Sequence, residues 1–519
     1  MGTFAGRSRE AAGDIASTEL PEAQRLPGSL IVIVALLAAA LPSFAAGLPL
    51  TLDDAVRGAI SNNLSLKAES FNPAISGTGI RSARAIYNPN FTALLDHRGS
   101  NSQSSPTSFF VDRTRSFDAN LSASLLLPSG ATASAAMTNL WEQDNQGTSF
   151  SRYAKPNLVF SLSQPVLQGF GRDVTERGIT VATFATESTL AEWWAAALSV
   201  SSNTRNRFFA LVKARENLEA RKSSLALARE IHAGNEARVR AGVLAAIELL
   251  DSELGVAQRE KDLLEAGKNA LDEEDRLRVL LHLPPGTGIL PADTFPGERV
   301  EATEEAALRT AAYMRPDLRK ARILLSTNEF NARVGRNLLL PSLALKGSAG
   351  ISGLGTDYGS AIDDMKTGKY PAWSVGVELS YPLGNDAAEA DLAKNRLLAG
   401  QSRVSLRNLE EAASLEIRSS IRALDTGWRQ IEVAGKGVAL AEARLSSYVK
   451  RGKLGMATTK DTLQAESDLT VAREALAGAR ADYQAAVTQL WKSTGELLER
   501  HGIRIEDKEI ESSAWKEIR

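Results

Sequence analysis

Two stretches of this chain are too long to be ordinary globular helices. Residues 173–241 and 386–451 each read as helix over roughly 65–70 residues, or about 100 Å at the α-helical rise. In the second, Ile417, Ile421, Leu424, Trp428, Ile431, Val438, Leu445 and Tyr448 step by threes, fours and sevens. That is a heptad seam. Leu211, Leu218 and Leu225 repeat at seven in the first tract, and the opposite faces carry Lys, Arg, Glu and Gln. Each tract ends in a glycine: "GVLAAIELLDSE" begins at Gly242 and "GMATTKDTLQAE" at Gly455. The same spacing of Asp or Glu, Leu and Glu follows both. Each tract therefore turns at a glycine and returns as a second helix.

Strand signals precede both tracts. "FDANLSASL" (117–125), "LVFSLSQP" (158–165) and "WSVGVELSYP" (373–382) alternate apolar and polar residues, the period of a half-buried strand. Residues 91–98, 131–141 and 343–351 are further candidates. "LLLPSGATA" (125–133) reads as a hairpin turn. "GSNSQSSPTS" and "GLGTDYGSAIDDMKTGKYP" read as polar loops. Residues 51–87 read as helix, with Thr51 as N-cap and Asp53 and Asp54 in the first turn.

The order of elements repeats. "SAR" before "AIYNPNFTALL" corresponds to "NAR" before "VGRNLLLPSLAL", and "QPVLQGFGRD" corresponds to "YPLGNDAAEAD". Each half runs helix, strands, proline-marked exit, long helix, glycine turn, returning helix. "LPPGTGILPADTFPGE" joins the halves. The expected division is a signal peptide at 1–45, a first repeat at 46–290, a second at 291–498 and a charged C-terminal tail at 499–519.

Charge and cysteine content exclude several classes of function. Sixty Lys and Arg residues stand against 62 Asp and Glu, so no basic field draws nucleic acid. With no cysteine, disulfides, zinc–thiolate sites, cysteine nucleophiles and a lipid-bearing N-terminal cysteine are excluded. The four histidines, His97, His232, His282 and His501, lack metal-ligand spacing. His232 and Glu236 share a helix face as a solvated pair. No nucleophile motif or phosphate loop is present. The expectation is no enzyme, no metal and no cofactor.

Residues 30–40, "LIVIVALLAAA", are too few to span a bilayer but suit a signal-peptide core, with Ser43 and Ala45 at a small-x-small cleavage site. The preceding leader is unusually acidic for one. An exported chain with alternating strands and no later long apolar segment points to an outer-membrane barrel. Four to six strands cannot close a barrel alone, because about eight is the smallest closed bacterial number. Copies of the chain must share the wall. A soluble β-sandwich joined to a coiled coil is the competing architecture.

The duplicated order, the "QPVLQGFGRD" exit and both glycine motifs make the chain, from about Leu50 to Leu498, resemble the TolC family of outer-membrane efflux proteins. The resemblance implies an α+β membrane protein. It would be a homotrimer, with a twelve-stranded outer-membrane β-barrel, four strands per chain, continued by a long periplasmic α-helical coiled-coil barrel. It further implies a passive exit channel of a tripartite efflux pump or type I secretion system. An inner-membrane transporter supplies the energy, and a periplasmic adaptor (membrane fusion protein) docks on the helical tips. Six candidate strands exceed the family's four: either one hairpin lies outside the membrane wall, or the barrel differs.

Matched to this sequence, the docking and gating tips are Gly242, Val243, Leu244 and Ala245, and Gly455, Met456, Ala457 and Thr458. Gly242 and Gly455 suit left-handed helix ends. Thr458 can cap the next helix with Asp461 three residues on, whereas Ala245 lacks the hydroxyl. Arg238, Arg240, Lys450, Arg451 and Lys453 form either a basic rim or ordinary helix C-terminal partners. Pro165 and Pro382 end strands, since proline supplies no ladder donor, and Gly169 and Gly171 permit the bend from strand to helix. A periplasmic adaptor or a structural coiled-coil envelope protein is the alternative; the duplicated strands speak against an adaptor.

Overall fold

The computed structural model describes residues 48–103, 111–144 and 151–518. The leader assigned as a signal peptide lies outside them. The described chain opens with β1 (Leu48–Leu50) and α1 (Leu52–Asn62). Thr51 caps α1, its side chain accepting from the Asp54 N–H at 3.2 Å. The helix expected over 51–87 breaks at Asn63. That residue is extended, and its side-chain oxygen accepts from the Leu66 N–H at 3.1 Å, starting α2 (Leu64–Arg84). An asparagine offers the backbone this alternative to continued helix.

Four strands follow: β2 (Asn90–Gln103), β3 (Val111–Leu126), β4 (Thr132–Asp144) and β5 (Arg152–Pro165). A single turn, α3 (Arg172–Thr175), leads into α4 (Arg177–Arg240), which returns as α5 (Ala246–Leu280). β6 (Ile289–Pro291) pairs in parallel with β1. Next come α6 (Glu304–Met314), α7 (Pro316–Leu338), β7 (Ser342–Ser352), α8 (Tyr358–Lys366) and β8 (Pro371–Ser380). The second long helix, α9 (Asp386–Lys453), returns as α10 (Thr459–Thr494). The chain closes with α11 (Leu497–Arg500) and α12 (Asp507–Ile518).

Every expected strand is present, and all six form one antiparallel sheet in the order β2-β3-β4-β5-β7-β8. Two segments assigned to loops are corrected. Residues 99–103 extend β2 opposite β3, and α8 forms inside the expected 353–371 loop. Asp357 starts α8 through a capping box with Ser360.

The long helices form a layer in which α4 packs on α5 and on α10, and α10 packs on α9. The seam residues Leu211 and Leu225 are buried, as are Ile417 and Leu424. Two clusters bind the layer to the shorter helices. Leu50, Ala55 and Ala59 meet Phe208, Phe209, Leu277 and Ile289. Leu66 meets Leu190, Trp193, Leu497 and Ile510. The charged C-terminal segment therefore carries a packed helix, with Ile510 and Ala514 of α12 buried. Among the described residues no helix is long and apolar enough to cross a membrane.

Candidate functional site

Both glycine turns are built the same way. Gly242 has φ +71° and Gly455 φ +74°. Gly242 N–H donates to Val239 O at 2.9 Å and Val243 N–H to Arg238 O at 3.0 Å. Gly455 N–H donates to Gly452 O at 3.1 Å and Met456 N–H to Arg451 O at 2.8 Å. Each is a Schellman closure, which needs a left-handed residue just past the helix and so favours glycine. Val243 and Met456 stand exposed beyond it.

The turns differ at the following helix start. Thr458 makes a full capping box with Asp461: its hydroxyl accepts from the Asp461 N–H, and the Asp461 carboxylate accepts from the Thr458 N–H, both at 3.1 Å. The Thr458 hydrogen bond holds the Asp461 carboxyl below the usual carboxylate range. Ala245 has the same extended backbone but no side-chain cap. Glu248, placed where a capping box would use it, reaches the other hairpin instead. Its carboxylate accepts from the Thr459 N–H at 2.8 Å. Asn235, buried near the end of α4, donates to Thr459 Oγ1 at 2.8 Å. Arg238 donates to Gly452 O at 3.2 Å. The two tips are thus one braced unit. A cleft of about 760 Å³ opens between them, lined by Ile231, Asn235, Val449, Met456 and Thr462 among others.

Of the basic residues, Arg240, Lys450, Arg451 and Lys453 are exposed and Arg238 is half-buried. Arg240 pairs with Glu236 one turn back and holds that carboxyl below the usual range. His232 contacts Ser252 Oγ at 2.9 Å. Below the tips Arg259 of α5 bonds Glu466 of α10. The Asn235 and Arg259 contacts were absent from the sequence reading. A buried asparagine inside a long helix, where it is a poor helix former, is the signal that marks the first.

At the other end of the helical layer, the sheet turns into helix. β5 ends at Pro165, and Gly169 (φ +83°) and Gly171 (φ +99°) make the bend before α3. Asn337 fixes it: Gly169 N–H donates to its Oδ1 at 2.8 Å, and its Nδ2 donates to Leu167 O at 3.0 Å. β8 ends at Ser380, and Pro382 lies in the second exit, where Gly384 has φ +87°.

Cross-strand partners share a sheet face, so the register sorts the side chains. One face carries Phe91 and Leu95, then Phe117, Leu121 and Leu125, then Met137 and Trp141. It continues through Leu158, Phe160 and Leu162 to Leu343, Leu345 and Ile351, and ends with Trp373, Val375, Val377 and Leu379. The opposite face carries Thr92, Asp118, Ser122, Ser134, Ser161, Lys346, Ser374 and Glu378, with a few apolar residues such as Leu94 and Val159. Phe117, Trp141 and Tyr358 pack in series as tilted ring pairs, with centroids 5.3 and 5.1 Å apart. An apolar face with aromatic rings, backed by a polar face, is the pattern expected of a sheet between lipid and water.

Residues 307–496 match the family model described as outer membrane efflux protein. The chain is 26% identical over 194 residues to the outer membrane efflux protein BepC of Brucella suis biovar 1 (strain 1330), covering 37% of this chain and 41% of BepC. It is 23% identical over 294 residues to nodulation protein T of Rhizobium leguminosarum bv. trifolii, covering 54% and 58%. Both matches take in less than two thirds of the relative's length. The fold is similar to that of the Campylobacter jejuni CmeC outer membrane channel, with a TM-score of 0.62, 19% identity and 89% of each chain covered. The localisation these matches support is the outer membrane.

Proposed function

We propose that this chain is an outer membrane efflux protein, a passive exit channel serving a tripartite efflux pump or a type I secretion system. The observation that carries this is the single sheet with one apolar and one polar face, running through pinned exits into a wall of very long helices. Such a molecule conducts; it has no need of a catalytic step.

The wall is incomplete in one chain. β2 and β8 are both open edges, and lipid does not tolerate unpaired edges. The outer helices α5 and α9 are equally unfinished. On α5 Leu250, Leu264 and Leu271 are more than half exposed, as are Leu397, Val404, Val433 and Leu440 on α9. Many of these recur at sevens, the spacing of a coiled-coil seam awaiting its partner. A ring of identical chains pairs β8 and α9 of one copy with β2 and α5 of the next. The family resemblance sets the number of copies at three.

Residues 46–290 and 291–498 are then two structural repeats, each ending in one helical hairpin. The Gly242–Ala245 and Gly455–Thr458 turns are the periplasmic tips, where an adaptor docks and the duct closes. Arg238, Arg240, Lys450, Arg451 and Lys453 form its basic rim. An inner-membrane transporter supplies the energy. Membrane fractionation tests the proposal: heat-modifiable trimers in the outer-membrane fraction, with ion conductance in planar bilayers, are expected. A soluble periplasmic monomer would overturn it.

A further inference from the structure

Resting on the closed outer-membrane barrel proposed above, we infer that each chain contributes six strands to the wall, so that three copies close a barrel of eighteen. The family resemblance implied twelve. The additional hairpin has to be accounted for either as wall or as something outside it, and four observations place it in the wall.

The β2–β3 hairpin is in continuous register with the rest. Fourteen consecutive pairs join β2 to β3, from Asn90↔Ser124 to Gln103↔Val111. β3 continues onto β4 from Leu126↔Thr132 to Thr114↔Asp144. The apolar face crosses these two strands without interruption. Phe91 is 71% exposed, Leu95 73% and Leu121 52%. Outside the membrane these side chains would meet water. In the wall they meet lipid, as Trp373 and Val375 do on β8.

The apolar run on β3, Phe117 to Leu125, covers about 27 Å of strand, enough to match an apolar band about 25 Å tall once tilt is included. The turn joining β3 to β4 is also locked to the rim. Gly171 N–H donates to Ser129 O at 3.2 Å, and Gln164 Nε2 donates to the same oxygen at 3.2 Å. Ser129 Oγ donates to Gln164 Oε1 at 2.8 Å. Gly130 has φ +88°, and a Cβ there would stand 2.4 Å from Gly169 O. The turn is seated on the strand-to-helix exit, at the level where the wall ends.

The edges are complementary. β2 leaves the helical end of the sheet and β8 returns to it. Head-to-tail neighbours therefore meet antiparallel, and an even number of strands per chain keeps the alternation around the ring. Barrel diameter grows roughly linearly with strand number. Eighteen strands make the mouth about half again as wide as twelve would.

The native chain has no cysteine, so engineered pairs report alone. In outer membranes containing the full chain, Val375→Cys or Val377→Cys on β8 is combined with Ala93→Cys or Leu95→Cys on β2. The parallel set combines it with Ala135→Cys or Met137→Cys on β4. Oxidation is expected to link chains into dimers and trimers only in the β2 set. Links only in the β4 set would mean that β4 is the edge; that overturns the inference and leaves the channel proposal standing. No links in either set, with a monomer on native gels, would remove the barrel itself. A second measurement needs no register. Leu121→Cys on β3 is expected to react with a membrane-impermeant maleimide at least about tenfold more slowly than Ser122→Cys, because only the latter faces water. Equal labelling would place the hairpin outside the wall.

Discussion

Glu248 Oε2 accepts a hydrogen bond from the Thr459 backbone N–H at 2.8 Å, across 211 residues of chain. Glu248 stands third in its helix, where a capping box would turn it back to its own N-cap. Ala245 gives that box no hydroxyl, and the carboxylate satisfies a helix-start donor of the other hairpin instead. The absent cap in the first tip is thus linked to the brace between tips. Glu248→Ala should cost about 1 kcal/mol locally. Hydrogen exchange of the amides at 459–462 should quicken about fivefold. Glu253→Ala, an exposed change on the same helix, serves as control. Equal exchange in both variants would show that the brace contributes nothing.

Much of this was legible in the sequence, and the exceptions share a cause. The long helices and the strands of the sheet announce themselves because their neighbours impose a strict period on them. Trp373, Val375, Val377 and Leu379 alternate because one face meets an apolar phase. Beyond the apolar band that constraint lapses: Gly99 to Gln103 is strand without alternation, and it read as loop. Helix α8 hid in a Gly- and Asp-rich stretch because its start depends on one capping box. Contacts such as Glu248 to Thr459 and Arg259 to Glu466 join residues that only the folded hairpins bring together. No local pattern encodes them.

Arg259 and Glu466 form a buried bridge between α5 and α10. Their closest approach is 2.6 Å, and Arg259 also donates to Leu463 O at 2.8 Å and Gly255 O at 3.1 Å. Removing one partner strands a buried charge. Glu466→Ala should therefore cost about 3 kcal/mol. The pair Arg259→Met with Glu466→Leu should come close to the parent, because two apolar groups leave no charge to desolvate. Denaturant midpoints of the detergent-solubilised protein check this. A double variant as unstable as the single one would contradict it.

His501 ties the C-terminal segment to the middle of the molecule. Its Nδ1 lies 2.7 Å from Asp53 Oδ1, and its other ring nitrogen lies 3.4 Å from Arg205 Nη1. Arg57 contacts its carbonyl at 3.5 Å. Thr488 and Gln484 accept from Arg205 on the far side. Burial lowers the His501 pKa from its ordinary 6.5, opposed by Asp53 and reinforced by Arg205. Burial likewise brings Arg205 down to about 10. A lowered histidine value means that the unfolded chain binds the proton more readily. The neutral ring's contribution is intact above 6.5 and declines as pH falls below it towards the folded value. Urea midpoints should drop between pH 7.5 and pH 5.5, and His501→Gln should flatten that dependence. Identical pH profiles in parent and variant would refute the assignment.

Gly169 and Gly171 hold the exit at φ +83° and +99°. A β-branched residue is a strong outlier at positive φ, and each left-handed position costs an ordinary L-residue about 1–2 kcal/mol. Gly169→Val with Gly171→Val should therefore cost about 3 kcal/mol at the first of the two bends that aim strand into helix. The yield of heat-modifiable trimer should fall sharply. Normal trimer yield would refute the mechanical role.

The proposed basic rim separates charge from stability. Arg240 lies on the surface with Glu236 as its partner, and Lys450, Arg451 and Lys453 are exposed. Exposed pairs contribute about 0.2–1 kcal/mol, so Arg240→Glu with Arg451→Glu should leave the unfolding midpoint nearly unchanged. Each reversal changes the charge by two, so two reversals change the tips of every chain by four. A duct whose narrow end is lined by that change should shift towards cations in planar bilayers, because a charged constriction concentrates counter-ions. If an acidic adaptor surface meets the same rim, its affinity should fall about tenfold, or 1.4 kcal/mol. High salt should shrink the difference, since exposed charges are screened. Unchanged selectivity together with unchanged adaptor affinity would leave these cations as helix-end partners alone.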